Sequence, residues 1–275
     1  MKNAEELKKE VAEKYASIAK NETSCCGPEA ACAGDYSFIG DEYNDLDGYA
    51  PDVDLGLGCG LPTEFAQIQT GQVVVDLGSG AGNDCFIARA EVGTEGRVIG
   101  VDFTPEMIAK AQQNTTKLGY DNVEFVQGDI ENIPLEANLA DVAVSNCVMN
   151  LVPDKQAAFN ETFRILKPGG HFSISDVVTK GNLPENLKEA AELYAGCVSG
   201  AMDQEAYLSV ITEAGFKNIT IQKSKEIQLP DSTLEAMLTP QQLAEFKKAD
   251  VGIYSITVFG KKPSADDCCD PTCCN

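Results

Sequence analysis

The chain has 275 residues, 43% of them hydrophobic, and a formal net charge of −22. That charge excludes nucleic acid, whose binding rests on Lys and Arg neutralising phosphates, and it favours neutral or cationic substrates over anionic ones. No apolar run reaches the roughly 18 residues of a membrane span and MKNAEELKKEVAEKY lacks the apolar core of a secretion signal, so a cytoplasmic protein with no membrane contact is expected; a monomer is the expected state, although the sequence does not fix it.

Residues 4–20 place Leu7, Val11, Tyr15 and Ile18 at helical spacing. Residues 21–62 are rich in Gly, Pro, Asp and Cys and read as a long loop; a loop of that length is functional or disordered. From residue 71 the pattern alternates. Strands are expected at 73–77, 97–102, NVEFVQGD, ADVAVSN and HFSISDVV, with helices between them. Thr104 and Pro105 open one helix as N-cap and first-turn residue, and KPGG reads as a turn. This order defines an α/β fold with a doubly wound, Rossmann-like parallel sheet. Past residue 179 two helices, PENLKEAAELYAGCVSG and DQEAYLSVITEAGF, precede strand candidates KNITIQKSKEIQLP and YSITVFGKK. The expected division is an N-terminal helix and Cys-containing loop (1–62), a nucleotide-binding domain (63–179), a smaller C-terminal α+β substrate-side domain (180–262) and a Cys-rich tail (263–275).

DLGSGAG places glycines at 78, 80 and 82 between a strand and a helix, where the backbone turns sharply and approaches a ligand. A dinucleotide fingerprint wants a third glycine where Asn83 stands, so the spacing leans away from NAD. Asp102, ending the second strand, suits the ribose hydroxyls of a nucleoside, and Asp129, after the third, an adenine amino group. Residues 71–178, through VDLGSGAG, GVD, GDIENIP and LKPGGHFSISD, resemble the class I S-adenosylmethionine-dependent methyltransferases. The resemblance implies that Asp76, Gly78, Ser79, Gly80, Asp102, Met107, Asp129 and Ile130, with their neighbours Phe103, Gly128 and Asn146, hold that cofactor.

Eleven cysteines are the distinctive chemistry. An odd number in a cytosolic-looking chain points to metal or redox work, not a disulfide framework. Cys25, Cys26 and Cys32 cluster near the start, Cys268, Cys269, Cys273 and Cys274 fill the tail, and Cys59, Cys85, Cys147 and Cys197 stand singly. The sequence SNCV replaces the Asn-Pro-Pro-aromatic motif of amide methylases, and the single histidine, His171, begins a buried-looking strand and reads as a core residue. Thiolates bind soft centres. Trivalent arsenic bound by thiolates keeps a lone pair that attacks a sulfonium methyl without a general base, and arsenite is neutral, so an acidic protein does not repel it.

LGLGCGLP around Cys59, DLGSGAGNDC, SNCVMNLVPDK around Cys147 and LYAGCVSGA around Cys197 make the chain similar to the arsenite S-adenosylmethionine methyltransferases from the first helix to about residue 262. The resemblance implies that Cys147 and Cys197 hold As(III) and that Cys59 exchanges with it through disulfide formation. One of Cys25, Cys26 and Cys32 serves with them in some members, and the tail cysteines are a further candidate metal-binding cluster. The glycines flanking Cys59 suit a residue that moves between partners, whereas Cys85 reads as packing. The expected substrates are trivalent arsenicals, the expected reductant thioredoxin or a small thiol, and the expected role arsenic detoxification. Two alternatives stand beside this reading: a carbon methyltransferase acting on a quinone or sterol precursor, and a thiol-rich metal-sequestering protein.

Overall fold

The computed structural model describes residues 4–20, 43–44, 46–181, 200–228, 234–235, 238–239, 241–243 and 251–264. Cys25, Cys26, Cys32, the expected helix bearing Cys197 and the tail cysteines lie outside the described residues.

One seven-stranded sheet organises the chain, in the order β3-β2-β1-β4-β5-β7-β6. Strands β1 (Val73–Leu77), β2 (Arg97–Asp102), β3 (Val123–Gln127), β4 (Ala140–Asn146) and β5 (Leu166–Lys180) pair in parallel. β7 (Gly252–Lys261) runs antiparallel to both β5 and β6 (Lys217–Glu226). The strand candidates past residue 215 therefore join the same sheet. VVVDL and RVIGVD are almost continuously apolar because both faces of a parallel sheet are covered. β6, at the edge, alternates exposed and half-buried residues.

Helices α3 (Asn83–Val92) and α4 (Pro105–Leu118) contribute to one apolar layer with Phe86, Val74, Val98 and Val142. On the other face, α5 (Lys155–Ile165) and α6 (Gln204–Glu213) pack Phe159, Tyr207 and Ile211 against Phe172, Ile174 and Phe216. Burying each such side chain stabilises the fold by about 1.5–3 kcal/mol. Asp154 and Asp203 cap α5 and α6, accepting from the N–H of Ala157 and of Glu205 and Ala206. Thr104 stands at the N-cap of α4, but its side chain makes no capping bond; its N–H donates instead to the Asp102 carboxylate. KPGG, expected as a turn, falls inside β5, with Gly169 in the left-handed region at φ 83°.

Helix α1 (Ala4–Lys20) lies against α4, where Ile18 packs with Met107, Tyr15, Leu55 and Leu57. The long loop ends in a short helix, α2 (Pro62–Phe65). No helix among the described residues is long and apolar enough to cross a membrane.

Candidate active site

Strand order reverses between β1 and β4, and ligands of open α/β sheets bind in the crevice beyond the carboxyl ends of strands at such a point. An open crevice of about 1060 Å³ lies there. The glycine loop forms its floor. Gly78 and Ser79 donate their N–H groups to Val101 O at 2.7 and 3.0 Å. Gly78 has φ +76°, and a Cβ on it would lie 2.4 Å from the Val148 side chain. Gly80, at φ +51°, faces open space. The Asp102 carboxylate accepts from Gly80 N at 3.0 Å and Thr104 N at 2.8 Å, tying the loop to the end of β2. Burial raises its pKa.

These residues fit S-adenosylmethionine. Ser79 Oγ, Asn83 Oδ1 and Asp84 Oδ1 are buried polar atoms with no hydrogen-bond partner among the described residues, and all three residues line the crevice. Buried polar atoms are ordinarily hydrogen-bonded, so their convergence marks a polar ligand. Carboxylates also suit the ligand's positive charge, since Asp84, Asp102 and Asp129 share the wall.

Of the residues the sequence assigned to the cofactor, Gly78, Ser79, Gly80, Asp102, Phe103, Asp129, Ile130 and Asn146 line the crevice. Asp76, Met107 and Gly128 stand behind it. Asp76 is fully buried and accepts from Cys85 Sγ at 3.2 Å, Met107 packs under α1, and a Cβ on Gly128 would meet Pro134. Asp129, expected to accept from adenine, already pairs with Lys8 Nζ at 2.6 Å, and Lys8 also bonds Glu131. Lys8 sits on α1, so the N-terminal helix forms a side of the crevice with Lys8, Val11 and Tyr15.

At the inner wall, Cys59 Sγ, Cys147 Sγ and a carboxylate oxygen of Asp176 all lie within 4.8 Å of one another, and all three residues are buried. Cys147 follows the last residue of β4 and takes φ 61°, a left-handed conformation that non-glycine residues seldom adopt. Its N–H donates to Ser175 O at 2.8 Å. Backbone strain of this kind is of order 1–3 kcal/mol and is held at functional positions by the surrounding structure. Cys59 is fixed at both ends of its peptide unit. Its N–H donates to Asn146 Oδ1 at 3.0 Å and its carbonyl accepts from Ser255 Oγ at 2.5 Å. The flanking glycines thus serve close packing as much as motion, since a Cβ on Gly58 would strike Asn146 and one on Gly60 would strike Ser175.

Asp176 is held by Val177 N at 2.9 Å and Tyr207 OH at 3.3 Å. Burial raises its pKa to about 7. Asp84, in the same interior, is raised to about 7 by burial, and accepts from Asn146 Nδ2 at 3.1 Å and Tyr43 OH at 3.4 Å. The Cys85 thiol is pushed well up by burial and by the Asp76 carboxylate, so it stays protonated. His171 Nε2 meets Ala66 O at 2.6 Å; the ring is hydrogen-bonded as expected but only half-buried, so it is not the core residue the sequence suggested.

Sequence reasoning missed Asp176, Asp84 and Tyr43. Asp84 stood in plain view in the GNDC stretch, and Asp176 is the acid of FSISD in a buried strand. Tyr43 belongs to a segment without periodicity, and nothing in its neighbours signals that it reaches Asn146.

A crevice at the strand-order reversal, a glycine loop and an acid at the end of β2 are the arrangement of an S-adenosylmethionine-dependent methyltransferase. The comparisons agree. A family profile described as a methyltransferase domain matches residues 68–215. An arsenite methyltransferase of Halobacterium salinarum is 39% identical over 97% of this chain and 69% of its own length. The crystal structure of an arsenic(III) S-adenosylmethionine methyltransferase from Chlamydomonas reinhardtii superposes with a TM-score of 0.64 at 34% identity, covering 76% of this chain and 68% of that one. A demethylmenaquinone methyltransferase of Lactococcus lactis is 34% identical over only 46% of this chain. The chain belongs to the arsenite methyltransferase family.

Proposed function

We propose that the chain moves methyl groups from S-adenosylmethionine to As(III) held by cysteine thiolates at the inner end of the crevice, giving mono- and dimethylated arsenicals. The observation that carries this reading is the meeting of Cys59 and Cys147, distant in sequence, beside the wall of the crevice that fits the cofactor. Each thiol replaces one hydroxide of arsenous acid and releases one water. Cys147 and Cys197 are the holding thiolates of this reading, with Cys59 joining or replacing one of them.

S-adenosylmethionine, when bound, supplies a methyl group on a positively charged sulfur. The arsenic lone pair takes that methyl as the carbon–sulfur bond breaks, so no base is required and positioning does most of the catalysis. The strained turn at Cys147 and the clamp of Asn146 on Cys59 do that positioning. Methyl transfer formally oxidises arsenic to the pentavalent state. Two thiolates then give up two electrons and join as a disulfide, returning arsenic to the trivalent state, and an external dithiol such as thioredoxin, or a small thiol, reduces the disulfide. The enzyme works as a monomer in this reading.

The test is residue-specific. Cys59→Ser and Cys147→Ser should each lose methyl transfer to arsenite while retaining S-adenosylhomocysteine binding. Wild-type-like transfer in Cys147→Ser would remove the thiolate mechanism.

A further inference from the structure

Asp176 has no part in the reading above, yet it is the third member of the buried cluster with Cys59 and Cys147. Its relative exposure is 0%. A carboxyl group in that setting is costly unless paired or put to use. Its contacts hold it in place: Val177 N from β5, Tyr207 OH from α6, and a backbone hydrogen bond from Asn150. Lys155 on α5 is the charged group that acts on it, and the two cysteine thiols lie beside it. With one of its oxygens within 4.8 Å of both sulfur atoms, any atom bridging the two thiolates lies beside this carboxyl group.

While Cys59 stands in place of Cys197, two thiols displace two of the three hydroxides of arsenous acid and leave one As–OH. Monosubstituted arsenicals such as methylarsonous or phenylarsonous acid carry only two hydroxides, and two thiols remove both. The species on the Cys59–Cys147 pair therefore differ in one group: the inorganic form keeps a hydroxyl donor, and the organic forms present carbon in its place.

We propose that Asp176 is a substrate-binding residue that accepts a hydrogen bond from the remaining hydroxyl of dithiolate-bound As(III), so that it favours inorganic arsenite, and hence the first methylation, over arsenicals already carrying carbon. This rests on the arsenic reading of the cysteine pair. It deepens that reading by making Asp176 a determinant of which arsenical the pair prefers. Tyr207, which bonds Asp176, is the positioning residue behind it.

Cys147 lines the open crevice, so a small alkylating reagent has a route to it in the cofactor-free protein. Protection of the Cys147 thiol from iodoacetamide, read by peptide mass spectrometry, gives a site-specific titration that the other cysteines do not obscure. Arsenite and phenylarsonous acid are titrated against Cys197→Ser, in which Cys59 and Cys147 alone of the three remain, and against Asp176→Leu and Asp176→Asn made on that background, with the wild type alongside. The Leu variant should need about tenfold more arsenite for half-protection, the scale of one lost hydrogen bond to a charged group, with the phenylarsonous acid requirement unchanged within about twofold. The Asn variant keeps the shape and an acceptor oxygen, and should fall between the two; S-adenosylhomocysteine binding reports that each variant is folded. Equal shifts for both arsenicals would reduce Asp176 to a shaping role and overturn the proposal, as would no shift for either. Absence of any protection by arsenite in the wild type is a separate result: it would overturn the arsenic site itself, and this proposal with it.

Discussion

The side chain of Asn146 clamps the loop that carries Cys59. Its Oδ1 accepts from Cys59 N at 3.0 Å and Gly60 N at 3.3 Å, while its Nδ2 donates to Gly60 O and Asp84 Oδ2. One residue before Cys147, it ties the two cysteine-bearing segments together. Asn146→Ala strands two backbone donors and should cost about 1–3 kcal/mol of stability. It should lower methyl transfer by about two orders of magnitude, because small misplacements of reacting groups cost that much. Asn146→Asp should be worse in stability, since it sets a second carboxylate against Asp84. Thermal midpoints and single-turnover rates on the two variants check both statements.

Asp102 organises the cofactor floor by accepting from Gly80 N and Thr104 N. Asp102→Ala should weaken S-adenosylhomocysteine binding at least about tenfold, as hydrogen bonds to a charged acceptor are lost. It should leave arsenite protection of Cys147 unchanged. Equilibrium dialysis and alkylation mapping separate the two.

Burial holds the Asp84 pKa near 7, above the ordinary carboxylate range. The folded chain therefore keeps a proton that the unfolded chain releases near pH 4. This contribution to stability is fully present below about pH 4 and is lost as pH rises towards 7. Asp84→Asn removes the titration. In cofactor-free protein its urea midpoint should decline less than that of the wild type between pH 4.5 and 7, and at pH 8 it should be the more stable of the two. An unchanged slope would mean that Asp84 ionises normally.

Cys85 is buried, its thiol is held protonated, and it donates to Asp76 Oδ2 at 3.2 Å. A hydroxyl can make the same bond. Cys85→Ser should keep methyl transfer within about twofold and lose about 1 kcal/mol of stability or less. Intact-mass labelling should find Cys85 unreacted in the native wild type. Loss of activity in Cys85→Ser would place it in the chemistry.

The sheet was legible because each strand from Val73 to Gln127 is a short, mainly apolar run that ends in an acid or is followed by a glycine, and the helices between carry their own start signals in Pro105 and Asp154. The edge arrangement was not. KNITIQKSKE alternates like any half-exposed strand, and only the β5–β7 pairing reveals that it completes the first sheet. The cofactor floor was legible as far as the backbone was concerned, from Gly78, Gly80 and Asp102. Asp76 and Met107, assigned with them, do not line the crevice: Asp76 is buried against Cys85 and Met107 is packed between α4 and α1. Cys59 and Cys147 could be named from their motifs, but their approach depends on Asn146 and Ser255, contacts across the chain that no local pattern encodes. Asp176 was hidden for the same reason. Its significance arises only where β5 passes the end of β4 and the Cys59 loop.

The account stands or falls on a single-turnover experiment. Purified protein is mixed with arsenite, methyl-labelled S-adenosylmethionine and a dithiol reductant, and the label is followed into arsenic species for the wild type, Cys147→Ser and Cys59→Ser. The account predicts labelled methylarsenicals from the wild type and none from Cys147→Ser, with both proteins binding S-adenosylhomocysteine equally. Transfer to arsenic that survives the loss of Cys147, or the absence of any labelled arsenical from the wild type, would contradict it.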